Sequence, residues 1–346
     1  MSEYLKYYDG KRVLITGGAG AVGSILTKKL LDLGAEVIVL DDLSSGYTWN
    51  LPQSSQRLLF VEGDVANEVD LKRVFNEKPQ VVFHLAAFFA NQNSVDYPQK
   101  DLNTNGFGTL KLLECCAMYG RLERIVYSSS GCSIYPSDAP MPFKEDCGVG
   151  LFMGTPYQIT KMTGELYMNY YYKMYGLPVA NARFFNSFGA GEVPGQYRNV
   201  IPNFIYWAMK KQSLPITGTG EETRDFTYVG DITDGLLRMG YMKEAVGEAF
   251  NLAAGREIRI IDLANMVNRL TGNTAELKYL QRRKWDTKPR LLASNEKAGK
   301  VLGFKPNLDF EFGVKEAIGW FKENWNQIER SALFGPGASS AVRPAK

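Results

Sequence analysis

A glycine-rich segment near the N-terminus places the strongest limit on how this chain can fold. It reads TGGAGAVG over residues 16–23, between an apolar β-branched run and a segment with helical spacing. In such a strand–loop–helix context Gly17 permits a tight turn, Gly20 lets the backbone approach a pyrophosphate, and Gly23 allows the helix to pack closely on the strand. The amides at the helix N-terminus would then face the phosphates. The segment therefore predicts a dinucleotide-binding loop.

Short β-branched runs alternate with longer segments of helical spacing through the first half of the chain. The runs predicted to form buried parallel strands are Arg12–Thr16, Glu36–Leu40, Leu58–Glu62, Val81–Leu85, Arg124–Ser128 and Val179–Phe184. The segments predicted to form helices are Val22–Leu33, Val69–Lys78, Gly108–Tyr119 and Pro156–Tyr175. This alternation is typical of the α/β class, with a Rossmann-type doubly wound parallel sheet that binds ligands beyond the carboxyl ends of its strands.

The regular alternation ends near Asn186, where glycine-rich loops begin. We expect an NAD-binding Rossmann domain over residues 1–185, to which residues 225–255 return. A smaller α/β substrate-binding domain would comprise 186–224 and 256–330 and form the other wall of a cleft. The small, polar tail over 331–346 is predicted to be disordered.

Composition excludes several classes of function. The 346 residues carry a formal charge of +3 with Lys and Arg scattered, so no basic stripe for nucleic acid is present. No apolar run approaches the ~18 residues of a membrane span, and a cytoplasmic protein is expected. His84 is the single histidine, which argues against a Ser-His-Asp hydrolase and a His-rich metal site; no metal is expected. The four cysteines form no Cys-x-x-Cys pair.

Acidic residues after the second and third predicted strands indicate which dinucleotide binds. Asp41 and Asp42 stand where an acid accepts hydrogen bonds from the adenosine ribose. A carboxylate there repels a 2′-phosphate, and no arginine adjoins it in the sequence, which favours NAD over NADP. Asp64 could meet the adenine, or it could simply form a polar turn after the strand.

Tyr157 and Lys161 are candidates for acid–base chemistry. They are four residues apart, so on a helix they share one face. A phenol normally ionises near pH ~10, and a lysine cation beside it, with a nicotinamide cation nearby, favours the phenolate. Alone, the pair is typical of a solvated helix face. Together with the glycine loop and a serine-rich strand end, it predicts an oxidoreductase-type site.

These motifs together resemble the extended short-chain dehydrogenase/reductase family, and within it the NAD-dependent nucleotide-sugar epimerases and dehydratases of the UDP-glucose 4-epimerase type. The resemblance runs from about Lys11 to Trp325 with the motifs in the family's order. The motifs after the loop are Asp41–Ser44, Gly63–Val65, His84–Ala87, Asn105–Thr109, Ser128–Ser130, Tyr157 with Lys161, Arg183–Asn186 and Arg224–Phe226. The NAD-binding positions that it implies are Gly17, Gly20, Ala21, Val22, Gly23, Asp41, Asp42, Asp64, Val65, Leu85, Ala86, Ala87, Asn105, Ser128, Tyr157, Lys161 and Phe184.

The resemblance also implies roles for the catalytic residues. Lys161 would hold the nicotinamide ribose and acidify Tyr157, and Tyr157 would remove the proton from a sugar hydroxyl at C4. A strand-end serine would hydrogen-bond the same oxygen. Ser130 is the candidate, with Ser129 and Ser133 as alternatives.

The implied substrate is a nucleotide-diphosphate sugar. Its expected contacts are Ser130, Cys132, Asn186, Arg224 and Arg283. Arginine suits this task because its planar guanidinium can clamp a diphosphate in a bidentate manner. For Arg283 the alternative is a solvated basic turn.

The segment after the serines separates the reactions known in this family. Dehydratases that resemble the pattern carry an Asp-Glu pair there and decarboxylases a glutamate, whereas this chain has Gly131-Cys132-Ser133. We therefore expect inversion of C4 of an NDP-hexose through a transient 4-keto intermediate. Alternatives are a GDP-sugar 3,5-epimerase-like enzyme that uses Cys132, an NDP-sugar 4-dehydrogenase, and a non-enzymatic NAD sensor, against which the intact Tyr157 and Lys161 weigh.

Two predicted helices have broad apolar faces, over Leu110–Tyr119 and Gln158–Tyr172. In the family that the motifs resemble, such helices pair across a dimer as a four-helix bundle. We therefore expect a homodimer.

Overall fold

A computed structural model describes residues 2–148, 150, 152–307 and 309–335. The strands in this part of the chain are β1 (Arg12–Thr16), β2 (Glu36–Asp41), β3 (Leu58–Glu62), β4 (Val81–His84), β5 (Arg124–Ser130), β6 (Val179–Phe184), β7 (Ser187–Phe188), β8 (Pro215–Thr217), β9 (Thr223–Arg224), β10 (Thr227–Tyr228), β11 (Ala249–Leu252), β12 (Ile258–Arg259) and β13 (Lys278–Leu280).

The helices of the same described part are α1 (Glu3–Lys6), α2 (Ala21–Asp32), α3 (Glu68–Asn76), α4 (Asn91–Asp96), α5 (Pro98–Asp101), α6 (Gly108–Tyr119), α7 (Gly131–Ile134), α8 (Pro156–Tyr175), α9 (Val200–Met209), α10 (Val229–Tyr241), α11 (Ile260–Thr271), α12 (Glu296–Leu302), α13 (Phe310–Glu323) and α14 (Trp325–Ser331). A π-helical turn, Leu102–Phe107, leads into α6. Two short 3₁₀ turns span Thr48–Asn50 and Lys243–Ala245.

The central sheet has the order β11-β6-β5-β4-β1-β2-β3, and all its described strands run parallel. The order reverses between β1 and β4, and a ligand crevice forms at such a switch point in doubly wound sheets. The predicted Rossmann-type sheet is thus confirmed. Strand β11, which has only four residues, was not predicted from the sequence.

Two apolar cores cover the two faces of this sheet. On one face, Leu26 and Leu30 of α2 pack with Ile232 and Leu236 of α10. The other face is covered by α3, α6 and α8, whose buried side chains include Leu71, Leu112 and Met168. Burial on both faces explains why the sheet strands read as continuous apolar runs. The result is a three-layer α/β/α unit.

A third apolar core gathers the helices α9, α11, α13 and α14. Its buried side chains include Phe204, Val267, Phe321 and Ile328, one from each of these helices. Three two-stranded sheets, β10-β7, β12-β9 and β13-β8, connect them in the described residues. This smaller unit stands beyond the carboxyl ends of the central strands.

Two predicted boundaries are corrected by the packing. Helix α12 falls within the range 256–330 assigned to the substrate-binding domain, but Ala298 and Leu302 pack in the core around α10 and β11 because both residues are apolar and face that side. The predicted disordered tail began at 331, yet Leu333 forms a β-bridge with Gly195 and the ring of Phe334 lies 4.5 Å from that of Trp207. Residues 336–346 lie outside the described part. Among the described residues, no helix is long and apolar enough to cross a membrane.

Candidate active site

A cleft of about 710 Å³ lies between the carboxyl edge of the sheet and the smaller unit. Nearly all the predicted NAD-binding positions line it: Gly17, Gly20, Ala21, Val22, Gly23, Asp41, Asp42, Asp64, Val65, Leu85, Ala86, Ala87, Ser128, Tyr157, Lys161 and Phe184. The five predicted substrate contacts line it too: Ser130, Cys132, Asn186, Arg224 and Arg283. One continuous surface therefore brings the two predicted groups together.

Asn105 is the exception, because it lies behind the cleft wall. Its side chain is buried, accepts from the Phe88 amide at 2.8 Å and donates to Asp101 at 2.8 Å. The predicted direct contact with NAD is thus corrected. Asn105 has a polar side chain whose groups are satisfied by the protein itself, and it supports the segment around Phe88 instead.

The glycine loop has the space and the free donors that a dinucleotide pyrophosphate needs. Gly17 has a φ of +73°, and a Cβ there would lie 2.6 Å from the Ala86 amide nitrogen. At Gly23 a Cβ would lie 2.1 Å from the Gly17 carbonyl oxygen. Helix α2 begins after Gly20 without a side-chain cap and without an acid in its first turn. Its first amides are therefore open to a phosphate, which fits NAD.

Asp41 and Asp42 have different roles at the end of β2. Asp41 is buried, and its two carboxylate oxygens accept from the amides of Ala19 and Leu43, each at 2.9 Å. Burial raises the pKa of Asp41 to about 6. Asp42 is exposed on the cleft wall and accepts from the Ser44 amide at 2.9 Å. Asp41 thus fixes the glycine loop, while Asp42 is the more accessible acceptor for a ribose.

An arginine does reach this region, although none adjoins the acids in the sequence. Arg198 of the smaller unit donates to the Ser45 carbonyl at 2.9 Å, and its charge lowers the pKa of Asp41 against the larger effect of burial. Arg198 lies more than 150 positions from Asp41, so only the folded chain reveals their proximity. Asp64 also has a local partner, since its carboxylate accepts from the Ala66 amide at 2.8 Å.

Helix α8 carries the tyrosine and the lysine. It begins with Pro156 after the cap Thr155, whose hydroxyl accepts from the Gln158 amide at 3.3 Å. Both Tyr157 and Lys161 are buried. The Lys161 ammonium donates to the Ser128 carbonyl at 2.8 Å, at the end of β5, and lies 5.8 Å from the centre of the Tyr157 ring. The helix therefore holds both groups against the end of the central sheet.

Electrostatics around the dyad differ from the sequence prediction. Burial raises the pKa of Tyr157 well above its ordinary value, the charges of Asp101 and Cys132 raise it further, and a hydrogen bond from Ser130 lowers it. Burial lowers the pKa of Lys161 to about 8, against the raising effect of Asp101. Lys161 is not among the groups that shift the pKa of Tyr157 in the protein alone, where burial has the largest effect. The predicted acidification, which also involves a nicotinamide cation, stays a prediction.

The structure distinguishes the three candidate serines. The Ser130 hydroxyl donates to the Ser133 hydroxyl at 2.9 Å, and Ser130 lies near enough to Tyr157 to lower the pKa of the phenol by a hydrogen bond to its ionised form. Ser129 is buried, and its hydroxyl has no hydrogen-bond partner among the described residues. Ser130 thus lies beside the phenol, with Ser133 linked to it.

Cys132 lies on the cleft wall one residue after the start of α7. Its thiol is 3.8 Å from the Phe184 carbonyl oxygen. Burial raises the pKa of Cys132 to about 11, although the Asn186 amide and the charge of Lys288 act in the opposite direction. A thiol that stays protonated at neutral pH is a poor base.

The predicted substrate arginines differ in their availability. Arg224 donates through one nitrogen to both oxygens of Asp286, at 3.0 and 3.1 Å. Arg283 is exposed on the cleft wall, with its guanidinium 5.6 Å from the Trp285 ring. Asn186 has a φ of +32° and donates to the Asp225 carbonyl at 3.1 Å. Arg283 has no ion-pair partner in the part of the chain that the structure describes and could meet a diphosphate, whereas the charge of Arg224 is already paired with Asp286.

Several polar residues at the site escaped the sequence analysis. Asp101 is buried behind Lys161, and burial raises its pKa to about 6. Glu192 lines the cleft, and burial raises its pKa to about 7. Lys288 lines the cleft and contacts the segment around Cys132. In the sequence these three charged residues share only one feature: each lies close to Pro, Gly, Asn or Thr residues, which are typical of turns and helix ends.

The single histidine is part of the scaffold. His84 is buried, with Nδ1 2.7 Å from the Thr16 hydroxyl and Nε2 3.0 Å from the Thr109 hydroxyl. Burial lowers the pKa of His84 to about 3, so the ring stays neutral.

Solved structures of several epimerases are similar to this chain. An epimerase of Methanothermobacter thermautotrophicus has 54% identity, a TM-score of 0.94 and coverage of 96% of this chain and 98% of its own. The UDP-glucose 4-epimerase of Thermotoga maritima, solved with UDP-glucose, has 32% identity, a TM-score of 0.85 and coverage of 91% and 99%. The Bordetella bronchiseptica enzyme WbmF, solved with NAD+ and UDP, has 35% identity, a TM-score of 0.81 and coverage of 94% and 96%.

A family model gives the same assignment. The model of the NAD dependent epimerase/dehydratase family matches residues 13–253, which include the glycine loop, Tyr157 and Lys161. The resemblance inferred from the motifs is confirmed, and NAD as the cofactor agrees with the glycine loop described above. The chain belongs to the NAD dependent epimerase/dehydratase family.

Proposed function

We propose that this protein is an NAD-dependent nucleotide-sugar 4-epimerase that acts on a UDP-hexose. The observation that carries this proposal is the convergence of Tyr157, Ser130 and Lys161 in a cleft that Arg283 also lines, where Arg283 forms no ion pair with any described residue. The similarity to UDP-glucose 4-epimerase from Thermotoga maritima supports both the reaction and the choice of UDP.

The proposed mechanism begins with binding and orientation. The first amides of α2 hold the pyrophosphate of NAD, Asp42 accepts from the adenosine ribose, and Lys161 donates to the nicotinamide ribose. Arg283 neutralises the diphosphate of the sugar nucleotide. The chemistry that NAD supplies when bound is reversible hydride exchange with C4 of the sugar.

Proton transfer at the 4-hydroxyl falls to Tyr157. Its phenolate accepts the proton of the 4-hydroxyl as C4 becomes a ketone. Ser130 donates a hydrogen bond to the C4 oxygen and so keeps that oxygen next to the phenol. Burial raises the pKa of Tyr157 in the protein alone. The positive charge of the nicotinamide ring, once NAD is bound beside the phenol, would lower this pKa again. The 4-keto sugar then rotates in the cleft so that the other face of C4 is reduced. Tyr157 returns the proton to the C4 oxygen, and the configuration at C4 is inverted.

The other reactions of the family need groups that the segment after β5 does not offer. Elimination of water or loss of carbon dioxide would require a carboxylate there, and the chain has Gly131, Cys132 and Ser133. A 3,5-epimerase would require Cys132 to accept a proton from carbon, which its raised pKa disfavours. A 4-dehydrogenase would release the ketone instead of reducing it.

The reaction can be tested by product analysis. Wild-type protein is incubated with UDP-glucose without added cofactor, and the product is analysed by NMR and mass spectrometry. A product of unchanged mass with inverted C4 is expected. Loss of mass, or NADH that accumulates only after NAD is added, would contradict the proposal. Tyr157→Phe should lose turnover but keep NAD, whereas a non-enzymatic sensor would be unaffected.

We propose further that two copies of the chain form a dimer through α6 and α8. Leu166, Tyr170 and Met174 are four residues apart, so they form one stripe along α8, and they are 61%, 48% and 67% exposed. Met118 of α6 is 75% exposed. Light scattering at micromolar concentration should give twice the chain mass for wild type and the monomer mass for Leu166→Arg/Met174→Arg. A wild-type monomer would refute the dimer. The cytoplasmic location stays a prediction.

A further inference from the structure

Lys288 is a cation near the reacting end of the cleft that has no carboxylate partner among the described residues. Its ammonium donates to the carbonyl oxygens of Cys132 at 3.0 Å and Tyr135 at 2.5 Å. An ammonium has three N–H donors, so one of them is left over. Lys288 lines the cleft and is half-buried.

The position of Lys288 ties it to the catalytic centre. Its two acceptors are the carbonyl of Cys132, which lies within α7, and the carbonyl of Tyr135, which directly follows α7. Helix α7 itself begins directly after Ser130. The Cys132 carbonyl that accepts from Lys288 at 3.0 Å is only two residues after Ser130, and Ser130, Cys132, Tyr157 and Lys288 all line the same cleft. A group bound at Lys288 is therefore a close neighbour of the sugar atom that reacts at Tyr157.

Charge in this part of the cleft is unbalanced. Arg224, whose charge also acts on Lys288, is matched by Asp286 at 3.0 Å. Burial and the Arg224 charge lower the pKa of Lys288 to about 8, which leaves it mostly protonated at neutral pH. A half-buried cation without a counter-charge is costly, and a neutral hexose would leave it so. An anionic substituent on the sugar would match it.

We propose that Lys288 binds a carboxylate on the sugar, so that the preferred substrate is a nucleotide-activated hexuronate. The inference rests on the proposed 4-epimerase function. In a hexuronate the C6 carboxylate is attached to C5, directly beside the C4 that reacts, which matches the neighbourhood of Lys288 and Tyr157. Arg283 then meets the diphosphate and Lys288 the carboxylate, one cation for each anionic end of the substrate.

The test compares two substrates that differ only at C6, UDP-glucuronate and UDP-glucose. Wild type should have the higher kcat/KM for UDP-glucuronate. Lys288→Met keeps the apolar stem but removes the charge, and it should lower the ratio of the two kcat/KM values by on the order of 10- to 100-fold. Lys288→Arg keeps a cation and should recover part of the ratio.

A matched control lies on the same segment. Arg290 is exposed, pairs with Glu257 at 2.5 Å and does not line the cleft. Arg290→Met removes one positive charge two residues away and should leave the ratio within about twofold. Calorimetric titration with UDP checks that each variant still binds the nucleotide.

The outcomes separate this inference from the function on which it rests. Turnover of UDP-glucose with no preference for UDP-glucuronate overturns the hexuronate substrate and leaves the 4-epimerase standing. Equal loss for both sugars in Lys288→Met also overturns it, because Lys288 would then act on the diphosphate or on the fold of α7. Turnover of neither sugar by wild type that binds UDP refutes the 4-epimerase and this inference together.

Discussion

Replacing Glu165 with Gln should lower the thermal stability of the protein by several degrees. Glu165 stands on α8 four residues after Lys161, and its two oxygens accept from Nε and Nη2 of Arg183, each at 2.9 Å. Both side chains are buried, with 4% and 8% of their surfaces exposed. Arg183 also donates to the Tyr135 hydroxyl at 2.9 Å. This ion pair thus fastens the catalytic helix to β6 and to the segment after α7.

The size of the effect follows from the burial of the pair. Removing one partner of a buried ion pair leaves an uncompensated charge and costs about 3–5 kcal/mol. At about 2.1 cal/mol/K per residue, the unfolding entropy of a chain of this length is about 0.7 kcal/mol/K. The expected fall in Tm is therefore about 4–7 °C.

Differential scanning calorimetry at one protein concentration measures this fall. The control is Glu329→Gln, which breaks the exposed pair with Lys210 at 2.9 Å and should change Tm by less than about 1 °C. If Glu165→Gln shifts Tm no more than the control does, Glu165 does not fasten α8 and the reasoning fails.

Two further predictions concern the site. Asp101→Asn removes a buried charge that raises the pKa of both Tyr157 and Lys161. Both limbs of the pH profile of kcat/KM should therefore move to lower pH, by about one unit. An unchanged profile, or one moved to higher pH, would count against this role of Asp101. Gly17→Ala places a Cβ 2.6 Å from the Ala86 nitrogen at a residue whose φ is +73°. The affinity for NAD, measured by calorimetry, should therefore fall at least about tenfold. The control is Gly319→Ala, where a Cβ meets nothing within 4 Å, and it should bind NAD like wild type.

The sheet could be predicted largely because its strands are buried on both faces. Runs such as Arg12–Thr16 and Val179–Phe184 were predicted with the bounds that the structure has. Strand β11 was missed, since its four residues Ala249–Leu252 include no β-branched residue and are interrupted by Asn251, unlike the equally short β4. The range 256–330 was assigned to the second unit as a whole, because the sequence does not show that Ala298 and Leu302 within it meet the core around α10.

The site was predictable where chemistry is local and unpredictable where it depends on distant partners. The glycine loop and the Tyr157/Lys161 pair each lie within a few residues, so spacing alone indicated them. The partner of Arg224 is Asp286, 62 positions later, and Arg198 reaches Asp41 from another unit. The direction in which the pKa of Tyr157 shifts also depends on burial by the whole fold, which is the largest cause of the shift.

In the proposed reaction, C4 of the sugar is oxidised and reduced within one binding event. A UDP-hexose that the enzyme turns over is labelled with deuterium at C4 and converted in ordinary water, and the product is analysed by NMR. We expect the deuterium to remain at C4 of the inverted sugar, and Tyr157→Phe to slow this conversion without releasing the label. Replacement of the deuterium by solvent hydrogen at C4, or inversion at C3 or C5 instead, would contradict it.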